Sequence, residues 1–82
     1  MPTVLTIDAL RVVIYPNDHR PAHVHVIGPD EEAVFNLQCP DGPPVLRENF
    51  GFTQARLNGI ADNLSAALEW LCTCWRRIHG HH

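Results

Sequence analysis

From Leu57 onward, apolar residues return at alternating intervals of four and three: Leu57, Ala61, Leu64, Leu68, Leu71, Trp75 and Ile78. Only a helix brings such positions onto one side, so the spacing predicts a long amphipathic helix over residues 53–79. Thr53 stands where an N-cap belongs, and Phe52 with Leu57 fits a hydrophobic clamp across the first turn. Arg56 occupies the position a capping-box acid would need. His79 suits the last turn, and Gly80 can supply the left-handed exit. A continuous helix of this span runs ~40 Å, whereas strands of five or six residues reach only ~17–20 Å. Part of the seam therefore overhangs a short sheet. Either the helix bends, near Asp62–Ser65, or the surplus is buried in a homo-oligomer or against a partner through the C-terminal helix.

The first half reads as strands. Residues 3–7 and 10–15 are β-rich runs separated by Asp8-Ala9, a hairpin-length gap. Pro16-Asn17-Asp18 stops the second run, and Pro21 delays the third, residues 23–27. A fourth run spans 33–38, and residues 40–51 read as a loop. The expectation is one α+β domain over residues 1–80, a four-stranded antiparallel meander with one face covered by the helix. His81-His82 form a tail with no assigned role. Alternation places Leu10, Val12, Ile14, Val24, Val26, Phe35 and Leu37 in the core. The opposite face then carries Arg11, Val13, Tyr15, His23, His25, Asn36 and Gln38.

Composition narrows the function classes. The chain has 82 residues, a formal charge of −3, six arginines and no lysine. A general nucleic-acid binder leans on a basic surface to neutralise phosphates, which this balance does not provide. A local arginine and histidine site remains compatible with it, because Arg grips phosphate bidentately. No apolar run reaches the ~20 residues of a membrane span. The Met1-Pro2-Thr3-Val4 start has no signal-peptide pattern, so a cytoplasmic location is the default expectation. Cys39, Cys72 and Cys74 are odd in number and are read as reduced, half-buried thiols.

The segment His19-Arg20-Pro21-Ala22-His23-Val24-His25-Val26 exceeds what folding requires. His23 and His25 are two apart on a strand, so both rings project from one side with Cα atoms ~7 Å apart. That spacing suits two ligands of one metal, with His19 or Asp18 as a third; zinc would need one more ligand or an open position. It equally suits an acid/base pair, since histidine titrates near neutral pH. In the second reading His23, His25 and Tyr15 are catalytic, and Arg11, Arg20 and His19 bind a phosphate. Such equipment is that of a metal-independent endoribonuclease. A third alternating histidine, the mark of the histidine-triad nucleotide hydrolases, is missing, since Pro21 and Ile27 stand where it would be.

These residues resemble a family of small bacterial proteins, the domain of unknown function 4160 family. The resemblance runs through Met1-Pro2-Thr3-Val4-Leu5-Thr6-Ile7-Asp8, Asn17-Asp18-His19-Arg20-Pro21-Ala22-His23-Val24-His25-Val26, the Glu32-Ala33-Val34-Phe35 strand, the Asn49-Phe50-Gly51-Phe52 turn and the helix end from Trp75 to Gly80. It implies a component of a toxin–antitoxin-like pair, with the His23/His25 strand as the functional element and a cognate small antitoxin-like protein as partner. The expected role is the toxin-like half, acting on RNA by histidine acid/base chemistry. The alternative is a non-catalytic interaction or metal-binding module, with a divalent metal such as zinc on His19, His23 and His25. The Cys39-Pro40-Asp41-Gly42 loop and the absence of lysine depart from the family pattern.

Overall fold

Asp8 adopts a left-handed φ of 54° and turns the chain between β1 (Thr3–Ile7) and β2 (Leu10–Val13) in two residues. A computed structural model describes residues 3–80; the Met1-Pro2 start and the His81-His82 tail lie outside it. The meander continues through β3 (His23–Ile27), β4 (Glu32–Asn36) and β5 (Val45–Phe50), all antiparallel, in the order β1-β2-β3-β4-β5. Two helices follow, α1 (Gln54–Ala66) and α2 (Leu68–His79).

Three expectations need correction. The sheet has five strands, because residues 45–50 pair with β4 and are not loop. Their pattern hid them for two reasons. The register slips between Val34↔Glu48 and Phe35↔Leu46, so Arg47 is an extra residue that breaks the two-residue period. As an edge strand, β5 is also exposed along its whole length and shows no buried side.

The helix is not one rod. It breaks at Ala67, with φ −108° and ψ 15°, just beyond the Asp62–Ser65 stretch where a bend was expected. Neither proline nor glycine lies at the break. Its effect is geometric: at 1.5 Å per residue, the 13 and 12 residues of α1 and α2 run roughly 20 and 18 Å, each close to a strand length. Leu57, Leu64, Leu68, Leu71 and Trp75 are buried in the chain's own core, with Ala61 and Ile78 packed against it. No surplus of the seam is left over. The reason for expecting a homo-oligomer through the C-terminal helix therefore falls away.

The cysteines are not all reduced. Cys39 and Cys72 form a disulfide with Cα atoms 5.9 Å apart, tying the turn after β4 to α2. Gln38, at a left-handed φ of 58°, swings Cys39 toward the helix. Cys74 is free and buried, and burial pushes its thiol pKa up against the opposing pull of Arg77.

The core sits between the helices and one sheet face. Leu10, Val12, Ile14, Val24, Val26, Phe35 and Leu37 are buried there, as alternation requires. The turn into α1 is closed by Asn49, whose side-chain amide accepts from the Phe52 N–H (3.1 Å) and donates to its carbonyl (3.0 Å). Gly51 takes φ 99° within that turn. Thr53 Oγ1 then accepts from the Arg56 N–H and caps the helix. At the far edge, the Trp70 indole N–H donates to the Val4 carbonyl, tying α2 to β1, while β5 is exposed along its length.

Candidate functional site

The sheet face away from the main core is not a bland solvated surface. Val13 and Val34 pair with His25 from either side, and both are buried. His23 is 5% exposed, yet its neighbours are polar and aromatic: Asp18, His25 and Trp75. Two residues apart on β3, the imidazoles lie with ring centroids 5.4 Å apart.

Asp18 joins them. The chain reverses at Tyr15–Asp18, where the Asp18 N–H donates to the Tyr15 carbonyl (3.0 Å) and Asp18 Oδ2 accepts from the Tyr15 N–H (3.3 Å). That turn lays the carboxylate over the strand. Asp18 Oδ2 lies 3.3 Å from His23 Nε2 and 3.2 Å from His25 Nε2. The opposite ring nitrogens are also engaged, His23 Nδ1 with the Pro21 carbonyl at 2.8 Å and His25 Nδ1 with Glu32 Oε2 at 3.3 Å. The Tyr15 ring stands edge-on to His25 with centroids 4.7 Å apart.

Beside this cluster opens a cleft of about 640 Å³, lined by Pro16, Asn17, Asp18, His19, Arg20, Trp75 and His79. Its far wall is α2, where Trp75 stacks on His79 with centroids 3.9 Å apart. Asp18 belongs both to the cleft and to the histidine pair, so it links the two.

The residues expected from the sequence distribute unevenly. His23, His25 and Tyr15 are together. His19 and Arg20 are exposed and line the cleft next to them. Arg11 is exposed on β2 opposite Ile27, one same-face row from His25, and does not border the cleft. His19 is not in the tight cluster; the third group close to His23 and His25 is Asp18. Glu32, Trp75 and His79 were not foreseen. Glu32 could have been found from the β3–β4 register, which sets Ile27 opposite it and His25 diagonally across. Trp75 and His79 come from α2, and no local pattern points them at a strand.

A family model described as a domain of unknown function (DUF4160) matches residues 10–76, a span that runs from the first residue of β2 to the last turns of α2 and includes the whole cluster. No curated protein and no solved structure matches the chain.

Proposed function

The chain belongs to the DUF4160 family, and from that premise we propose that it is the toxin-like half of a toxin–antitoxin-like pair, cleaving RNA by histidine acid/base chemistry. Its partner is a cognate small antitoxin-like protein. The observation that carries the reading is the convergence of His23 Nε2 and His25 Nε2 on one Asp18 oxygen, at 3.3 and 3.2 Å, beside a cleft bearing Arg20, His19 and His79.

RNA cleavage without a cofactor needs a base to take the 2′-hydroxyl proton and an acid to protonate the departing 5′-oxygen. The O2′–P bond forms as the P–O5′ bond breaks, leaving a 2′,3′-cyclic phosphate. His25 is the base, its ring held between Asp18 and Glu32. His23 is the acid, held in place by the Pro21 carbonyl. Arg20 meets the phosphate, where a guanidinium can engage two oxygens at once. His19 assists from the same exposed loop. Tyr15 fixes the His25 ring. A net negative chain with so few cations is suited to one phosphate at one site, and not to holding a long duplex.

The test is a cleavage assay on single-stranded RNA in the presence of chelator. Positioned acid/base groups contribute about 10²–10⁴-fold each, so His23→Ala and His25→Ala should each lower the rate by that range. Arg11→Ala should leave it unchanged. RNA left intact by the wild type, or cut equally by the histidine variants, would refute the proposal.

A further inference from the structure

We propose that Asp18, His23 and His25 form a binding site for a divalent metal of the zinc class, with Asp18 Oδ2, His23 Nε2 and His25 Nε2 as its ligands. His23 Nδ1 faces the Pro21 carbonyl and His25 Nδ1 faces the Glu32 carboxylate, at 2.8 and 3.3 Å. Both partners only accept, so each Nδ1 carries a proton and each Nε2 presents its lone pair. Those lone pairs point at the same carboxylate oxygen. Three electron-rich atoms so close repel one another unless positive charge lies among them. A single proton, on one ring or on Asp18, pairs one nitrogen with the oxygen and leaves the other nitrogen without a partner, and protonating both rings sets two cations 5.4 Å apart with His23 buried. One divalent ion satisfies all three atoms.

The spacing agrees. A tetrahedral ion with bonds of about 2.0–2.1 Å sets neighbouring ligands about 3.3 Å apart. The two nitrogen–oxygen separations, 3.3 and 3.2 Å, match that value, and the wider nitrogen–nitrogen pair, within 4.8 Å, draws together on the ion. Metal-ligating histidines hand their second N–H to a carboxylate or a backbone carbonyl, which fixes the tautomer and the ring angle. Here one ring has each kind of partner. Two imidazoles and one carboxylate favour zinc and its neighbours over magnesium or calcium, which want oxygen ligands. Three protein ligands leave a fourth position, the pattern of zinc sites that also hold water or substrate.

This site stands without the nuclease reading. A ligated Nε2 cannot exchange protons, so under that reading the loaded protein is the inactive form.

The test uses the full chain with His81→Ala and His82→Ala, which removes tail histidines from the measurement. Zinc alone is titrated against a chromophoric chelator, and cobalt is followed by its visible bands. One equivalent should bind, with the intense cobalt absorption of a four-coordinate site. Asp18→Asn and His25→Gln, near-equal in volume and checked for fold by circular dichroism, should abolish binding. Glu32→Gln should weaken it about 10-fold. His19→Ala should leave it within about twofold of the parent, because His19 is not among the three close groups. Binding that needs the tail, that survives Asp18→Asn, or that vanishes with His19→Ala would overturn the proposal. RNA cleavage in chelator is scored separately, so loss of either reading is visible without the other.

Discussion

The Trp75 indole lies with its centroid 5.3 Å from the His23 imidazole, so a residue of the C-terminal helix forms the wall of a site carried by the third strand. Trp75 is also 1% exposed and part of the core. One side chain thus serves packing and site geometry together, and the two cannot be tuned apart at this position.

Trp75→Ala should lower unfolding stability by about 3–5 kcal/mol, the usual range for emptying a large aromatic site. Trp75→Phe should cost clearly less. The indole Nε1–H has no hydrogen-bond partner among the described residues, so its removal forfeits no bond. Denaturant titration gives both values. Light scattering on the same samples should return a monomer mass for each, because the seam is covered by the chain's own sheet. A wild-type dimer that Trp75→Ala dissociates would contradict this packing.

Cys39→Ser should destabilise by about 2–4 kcal/mol, since the disulfide closes a separation of 33 residues in the unfolded chain. Reductant should lower the melting temperature of the wild type and leave that of the Cys39→Ser, Cys72→Ser double variant unchanged. Equal responses of the two proteins would show that the pair is not bonded in solution.

The open edge at β5 yields a third expectation. Val45, Leu46 and Phe50 are 47, 41 and 61% exposed, with Arg47 and Glu48 set between them. Charges and a bulge on an edge discourage pairing with other chains. Arg47→Val with Glu48→Val should therefore aggregate at concentrations where the wild type stays dispersed, seen as turbidity and as thioflavin fluorescence. A double variant as dispersed as the wild type would show that these charges do not guard the edge.

The strands that bury one side were legible because Val24, Val26, Phe35 and Leu37 alternate with polar neighbours. Strand β5 was not, since an edge with an inserted Arg47 offers neither burial nor period. The seam from Leu57 to Ile78 announced a helix, but a break at Ala67 without proline or glycine leaves no mark in local composition. His23 and His25 stood out by chemistry, and Asp18 by nearness in the chain. Glu32 depends on strand register, and Trp75 and His79 on how α2 docks, which only the assembled core decides. The Cys39–Cys72 bond was hidden for the same reason: its partners meet through space, and an odd count of cysteines argued the other way.

No helix among the described residues is long and apolar enough to cross a membrane.

In the meander, every pair of neighbouring strands is also consecutive along the chain. Hairpins of this kind close short loops and form early, because little chain entropy is lost before contacts are gained. The docking of α2 is the opposite case: Trp70 must reach Val4 across 66 residues. Contact order therefore favours pairing of the histidine strand ahead of the docking of Trp75 that builds the cleft. Until α2 docks, His23 and His25 lack the wall that Trp75 supplies. The histidine pair and its Asp18 partner thus come from one short stretch of chain, whereas the cleft beside them waits on a contact between distant segments.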